Sequence, residues 1–217
     1  MRKLSKRLSS ILDAVEFRET FYDVCCDHGE LGIAAAQSLL ANQVIFIDQV
    51  PSIMESLDLK LKATDIPSAV GVKTWCQDAS QKDIFIKNSN FVVAGIGENT
   101  AISILEKINL CNDSEIILSI HSDNFLLREY LIERGLKTTY ETVFEDNKKL
   151  YELIKVSKSK GAPTTKVGSA MWSPENQASK RLLLNRISHL ETKLSHRNDK
   201  NLKFVLNSLK EKLKHYS

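Results

Sequence analysis

The 217-residue chain is 42% hydrophobic and 26% charged with a net charge of +3, which leaves room for one sizeable α/β unit plus an appendage. No stretch approaches the ~18 apolar residues of a membrane span, and no apolar segment of signal-peptide length follows the basic start Met1 to Arg7, so a cytoplasmic protein without membrane contact is expected; the sequence leaves the oligomeric state open, with a monomer favoured. Cys25, Cys26, Cys76 and Cys111 match neither a disulfide framework nor a C-x-x-C metal site, so reduced, non-catalytic thiols and no bound metal are expected.

Leu4, Leu8, Ile11, Leu12 and Val15 recur at helical spacing, which predicts an amphipathic helix over 5–17 with Lys3, Lys6 and Arg7 on its wet side, placed to cover whatever follows the first strand. Phe21 to Cys25 reads as that strand, and an Ala- and Leu-rich helix is expected from Leu31 to Leu40. The apolar run Val44 to Ile47 suits a parallel strand buried on both faces; it ends at Asp48, and Pro51 opens a helix through Leu61. Further strands are expected at 71–75, 91–94 and 116–120. A helix through Ile102, Leu105 and Ile108 follows the fourth strand, and one over 125–134, stopped by Gly135, follows the fifth.

The rhythm then changes. Residues 137–145 and 150–157, separated by the polar turn 146–149, read as a hairpin. Residues 1–158 therefore describe an α/β unit, a mostly parallel sheet with an antiparallel addition at one edge, which is the outline of the class I methyltransferase (Rossmann-like) fold. Residues 159–173 hold Gly161, Pro163 and Gly168 and read as a linker, with Trp172 a possible anchor. In 174–217, Leu183, Ile187, Leu190 and Leu194, then Leu202, Leu206, Leu209 and Leu213, form two stripes broken by Arg197-Asn198-Asp199, which suggests a coiled-coil-like helical hairpin. From Glu175 onward there are ten Lys or Arg against four acids, so this tail carries +6 and the rest of the chain −3. That asymmetry suits a polyanionic partner or a solvated helix face.

In an open α/β sheet ligands collect beyond the carboxyl ends of the strands, so the residues there are the candidates. Asp48 ends the second strand, where a carboxylate can accept a ribose hydroxyl pair or cap the following helix. Asp78, in Gln77-Asp78-Ala79-Ser80, can accept from the amino group of an adenine or cap a helix. Asp23 and Asp27 flank the first turn; Asp23 suits either the amino-acid end of a donor or the backbone of the loop. His28 stands at the turn itself. Gly29 is the turn's one glycine, where dinucleotide-binding loops have two or three, so a dinucleotide-dependent oxidoreductase is disfavoured. Gly95 and Gly97 permit close backbone approach of an acceptor after the fourth strand.

These corners carry a resemblance. Asp23-Val24-Cys25-Cys26-Asp27-His28-Gly29-Glu30-Leu31 resembles Asp-Ile-Gly-Ser-Asp-His-Gly-Tyr-Leu of the bacterial tRNA (adenine-22-N1)-methyltransferases, the TrmK family. Ala94-Gly95-Ile96-Gly97-Glu98 is similar to that family's Ala-Gly-Met-Gly-Gly, and residues 149–154 to its Lys-Tyr-Tyr-Glu-Ile-Ile. The likeness runs from Leu4-Ser5-Lys6-Arg7-Leu8 through Tyr151, with the tail matching in kind. Cys25 replaces a loop glycine, Glu98 the second glycine of a pair, and Ser119-Ile120-His121 stands where the family has Gln-Pro-Asn.

The resemblance implies transfer of a methyl group from S-adenosylmethionine to N1 of an adenine in tRNA. It implies a catalytic role for Asp27 beside the developing positive charge on the base. The cofactor-binding set it suggests is Asp23, Cys25, His28, Gly29, Asp48, Gln49, Asp78, Ala79 and Gly95. Gly97 and His121 would meet the substrate base, and Lys180 and Arg181 its phosphates. The three departures motivate an alternative: a catalytically degenerate methyltransferase fold acting as an RNA- or protein-binding module.

Overall fold

The computed structural model describes residues 4–196 and 198–216, so the expected places of Lys3 on the first helix and Arg197 in the tail's turn lie outside the described residues. α1 (Lys6–Asp13) starts where the Ser5 hydroxyl accepts from Leu8 N–H at 3.2 Å, and it is shorter at both ends than the apolar spacing predicts. β1 (Arg18–Val24), α2 (Glu30–Gln37), β2 (Ala41–Asp48), α3 (Pro51–Lys62) and β3 (Gly71–Cys76) follow in the expected order, with Pro51 in the first turn of α3.

Then come β4 (Ile84–Ile86), β5 (Ser89–Ala94), α4 (Glu98–Leu105), β6 (Ile108–Leu110), β7 (Glu115–Ser119) and α5 (Phe125–Glu133). Ile108, expected in the α4 helix, instead opens β6, which pairs in parallel with β4 as a separate two-stranded sheet. Runs of three residues are too short to show a period, so neither strand was legible. β8 (Lys137–Asp146), β9 (Lys149–Ser157) and β10 (Ala162–Pro163) complete the strands, and α6 (Gln177–His196) and α7 (Lys200–Leu213) form the helical hairpin, followed by a 3₁₀ turn over Lys214–Tyr216.

The main sheet has the order β10-β8-β9-β7-β5-β1-β2-β3. β3, β2, β1, β5 and β7 run parallel, whereas β9, β8 and β10 join by antiparallel pairing. Strand alternation divides the core in two. Phe21, Val44, Phe46 and Val92 pack with Ile11 of α1, Ala35 of α2 and Leu57 of α3; Tyr22, Ile45, Phe91 and Val93 pack with Ile104 of α4 and Leu131 of α5. β1 lies between β2 and β5, so the strand order reverses at β1, and the crevice at that reversal is where a ligand site is expected.

The stretch 159–173 is built into the molecule rather than being a bare linker. Ala162 and Pro163 pair with β8, and Val167, Met171 and Trp172 are buried with Val143 of β8 against the stripes Leu183, Ile187, Leu190 and Val205, Leu206, Leu209. Beneath this third cluster lies a buried ionic lattice. Arg128 of α5 donates to Glu141 of β8 at 2.7 Å and to Glu152 of β9, while Arg186 of α6 donates to the other Glu152 oxygen at 2.6 Å. Glu141 also accepts from the Ser169 and Ala170 backbone. Arg186 is thus a buried cation of the lattice, not one of the solvated charges its place in the basic tail suggested. Among the described residues no helix is long and apolar enough to cross a membrane.

Candidate active site

At the β1–β5 reversal a cavity of 690 Å³ is lined by Asp23, Cys25, Asp27, His28, Asp48 and Gly95, with Arg7 and Leu8 of α1 and Ile96. The loop between β1 and α2 turns sharply: Cys25, Asp27 and Gly29 all have positive φ, at 56°, 48° and 66°. Cys25 therefore holds a left-handed backbone of the kind that favours glycine, a conformation that costs an L-residue about 1 kcal/mol or more. Gly29 has no such freedom to vary. A Cβ there would stand 2.5 Å from Leu57 Cδ1, so the residue brings the loop down onto α3 and opens α2 without lining the cavity.

Asp48 organises the loop from the next strand. Its Oδ2 accepts from Asp27 N–H at 3.2 Å and its Oδ1 from Val50 N–H at 3.1 Å, which fixes the turn and caps the approach to α3. A carboxylate has about four acceptor positions, so two remain for a ligand. Asp23 is buried and accepts from Gly32 N–H at 2.8 Å. Burial pushes its carboxyl up to about 7, with the Asp48 charge adding to the rise and the Gly32 bond opposing it, so near neutral pH it exists in both protonation states. Gly32 is a site residue that the composition of α2 concealed. A Cβ would meet Phe46 Cε1 at 2.4 Å and Asp23 Oδ2 at 3.0 Å, so only glycine lets the helix reach the carboxylate. Its visible trace was a glycine inside an Ala-rich helical pattern.

Asp27 and His28 are exposed at the rim, with His28 Nε2 3.7 Å from Asp27 Oδ1. Burial pushes the Cys25 thiol up to about 11, helped by Asp48, Asp23 and Asp78, so it is a neutral wall and not a nucleophile. Cys26 is shifted the same way by the same burial, and its Sγ lies 4.0 Å from Met54 Sδ. All four cysteines are free thiols.

Arg7, which the helical pattern placed on a wet face, enters the site. Its Nη1 bonds His121 Nε2 at 3.1 Å, its guanidinium lies 5.7 Å from the centre of the Tyr151 ring, and a Cβ on Gly95 would come within 3.0 Å of that same Nη1. Gly95, at φ 81°, is thus the close approach between β5 and α1. Partial burial, with Arg7 and Lys149 nearby, holds the His121 imidazole below its ordinary value, which keeps Nε2 a lone-pair acceptor for Arg7. His121 also packs on Tyr151 at 5.5 Å between ring centres, and its backbone N–H donates to the Ile96 carbonyl. No periodicity marks an arginine for this role; three separate segments meet only in the fold.

The remaining candidates stand apart from this cavity. Asp78 uses Oδ1 on the Ser80 backbone and hydroxyl at 2.8 and 2.7 Å, as a local cap; its charge reaches Cys25. Ala79 is buried in the core, Gln49 is exposed beyond β2, and Gly97 begins α4 with open space around it. Lys180 and Arg181 lie on α6, where Arg181 Nη1 bonds Glu145 at 2.6 Å.

Comparison with known proteins agrees with this architecture. Similar solved structures include TrmK of M. capricolum in complex with S-adenosyl-homocysteine (TM-score 0.78, 19% identity, covering 98% of this chain and 97% of that one). The B. subtilis M1A22 tRNA methyltransferase TrmK gives a TM-score of 0.73 at 18% identity, over 100% and 98% of the two chains. Sp1610 from Streptococcus pneumoniae with S-adenosyl-L-methionine gives 0.73 at 20%, over 97% and 100%. At these identities the likeness establishes the fold, over the full length including the hairpin. A search of curated proteins finds no match. The family described as "Methyltransferase domain" matches residues 4–154, which span the cavity, its loop and the parallel sheet. The chain therefore belongs to the methyltransferase-domain family.

Proposed function

We propose that this protein is a TrmK-type enzyme that methylates N1 of an adenine in tRNA, in the cytoplasm, with S-adenosylmethionine as donor. The observation that carries the reading is the convergence of Asp23, Asp27 and Asp48 with Gly95 and Arg7 around one 690 Å³ cavity at the sheet's reversal point. That volume lies within the ~300–1,000 Å³ range of small-molecule sites. The donor supplies a methyl group on a sulfonium, whose charge suits walls carrying the four carboxyl groups of Asp23, Asp27, Glu30 and Asp48. Asp48 offers two acceptor positions to the ribose hydroxyls, and Asp23 with the turned backbone at Cys25 receives the amino-acid end. His28 borders the donor from the loop.

Adenine N1 carries a lone pair and loses no proton beforehand. The pair forms the bond to the methyl carbon while the electrons of the carbon–sulfur bond return to sulfur, leaving a cationic base. Asp27, exposed at the rim, offsets that charge, and Gly95 and Gly97 leave room for the base to approach. Alignment at ~3–3.5 Å is then the main catalytic task. Arg7, held by His121 over Tyr151, sits at the edge of the acceptor side and orders that approach. Within this reading 1–158 is the methyltransferase unit, 159–173 joins it to 174–217, and the basic hairpin holds the RNA.

The test is incubation of the protein with donor and tRNA, followed by mass mapping of modified nucleosides. One N1-methyladenine is expected. Asp48→Ala is expected to weaken donor binding measured by calorimetry, and Asp27→Ala to slow transfer with donor affinity retained. Donor binding without modification of any tRNA would favour the binding-module alternative, for which Cys25, Glu98 and His121 are the motivating residues.

A further inference from the structure

A second cavity, of 460 Å³, lies beside the first, between the sheet and the helical hairpin. Its walls bear His121 after β7, Lys148 and Lys149 on the β8–β9 turn, Tyr151 of β9, and Arg181 and Arg186 of α6. The Arg7–His121 bond joins the two spaces, because Arg7 lines the first and His121 the second. Four cationic side chains face one carboxylate, Glu152, which is already committed to Arg128 and Arg186.

Arg186 is the unusual member. Its side chain is 2% exposed, and Nη2 donates to Glu152 Oε2 at 2.6 Å, yet Nε and Nη1 are buried and find no hydrogen-bond acceptor among the described residues; Asp123 Oδ1 stands 3.9 Å from Nε. Guanidinium donors without acceptors are rare in a protein interior. Here they belong to a residue that lines a basic cleft, its guanidinium packed near the Phe125 and Trp172 rings, and the fork of an arginine matches the paired oxygens of a phosphodiester. The turn contributes point charges: Asn147 and Lys148, at φ 48° and 64°, fold the chain back so that Lys148 and Lys149 both line the cleft.

We infer that this cleft is a phosphodiester subsite for the RNA strand flanking the methylated nucleotide, with Arg186, Lys149 and Lys148 as its anion ligands. It rests on the RNA-methyltransferase reading above and adds to it where the strand is held: against the junction of sheet and hairpin, one residue pair away from the acceptor port. The base of one nucleotide enters beside Arg7 and Gly95, and phosphate next to it lies across His121 in the second cavity. The hairpin then contributes by its inner edge at α6, not by its solvated outer face.

The experiment compares the full-length wild type with Lys148→Gln/Lys149→Gln and with Arg186→Lys, measuring tRNA affinity across a salt series, donor affinity by calorimetry, and methyl transfer. The double variant is expected to bind tRNA about tenfold more weakly at moderate salt, with a slope of log K against log salt reduced by about 1–2. Donor affinity is expected to be unchanged. Arg186→Lys retains the charge but not the fork, and is expected to raise KM for tRNA with the donor constant preserved. Its folding is open to disturbance of the ionic lattice, whereas Lys148 and Lys149 lie outside that lattice, so the double variant decides the matter. If wild type methylates tRNA and the double variant keeps its affinity and salt slope, the subsite is wrong while the enzymatic reading stands. If wild type neither binds nor methylates RNA, the enzymatic reading fails, and the subsite with it.

Discussion

Asp23 shows how one residue's role turns on its surroundings. Its position at the end of an apolar run was enough to nominate it, but not to decide whether it meets a ligand or the backbone. The structure gives it a backbone partner, Gly32, and buries it, so its carboxyl titrates at about 7 in the fold against an ordinary value near 4. A carboxyl with a raised folded value binds more protons folded than unfolded between those two limits, so its contribution to stability is present at low pH and is lost as pH rises from about 4 through about 7. Asp23→Asn keeps an acceptor for Gly32 and removes the titration. The Tm of the variant relative to wild type is therefore expected to rise between pH 5 and pH 8, measured by thermal unfolding without donor; a pH-independent difference would show that Asp23 is ionised throughout. Cys25 teaches the complementary lesson. Sequence marks it as a departure from the resembled motif's glycine, and only the backbone shows that it sits in the left-handed region that favours glycine, at φ 56°.

The elements of the parallel sheet were largely legible, because each strand is an apolar run ending in a polar corner and each helix carries a cap or an apolar stripe. β4, β6 and β10 were not, since two or three residues carry no period, and the buried charges of α5, β8, β9 and α6 were not, since nothing local marks a lysine or arginine as interior. Arg128 is fully buried; burial alone would lower its basicity, but Glu152 and Glu141 more than compensate and hold the guanidinium charged. Arg128→Leu leaves Glu141 and half of the Glu152 interaction uncompensated in the interior, and is expected to destabilise the protein by about 3–5 kcal/mol, measured by urea unfolding. A loss below about 1 kcal/mol would show that the lattice contributes specificity but little stability. Glu152 titrates at about 2: burial acts to raise it, but Arg128 and Arg186 prevail. The sign is opposite to Asp23, since stability from Glu152 is present above the unfolded value near 4.5 and is lost as pH falls toward 2.

At the scale of the whole molecule, the hairpin is fastened rather than appended. α6 and α7 cover Val143 and Trp172, Arg181 bonds Glu145, and Arg186 completes the coordination of Glu152. Removing residues 174–217 would expose that apolar cluster and leave Glu152 with one cation fewer. The truncated protein is expected to unfold at a Tm several degrees below the full chain, with Trp172 emission shifted to the red. An unchanged Tm would show that sheet and hairpin are independent units. Loss of RNA affinity on truncation would therefore report on both folding and contact, which is why the point substitutions at Lys148 and Lys149 are the sharper probe of RNA binding.

The sequence by itself determined the fold class, the order of the principal strands and helices and the presence of a helical hairpin, and it nominated the strand-end corners as candidates for a ligand. All of these follow from local periodicity and from the polar residues that terminate apolar runs, and both are properties of short segments. Only the tertiary structure decided which corner residues share one cavity, that Arg7 reaches His121 and Tyr151, that Gly32 makes room for the Asp23 carboxylate, and that Arg186 leaves the basic tail for the interior. Those arrangements depend on chain segments up to 144 positions apart, as between Arg7 and Tyr151, brought together by burial of the faces between them; no local pattern carries that distance.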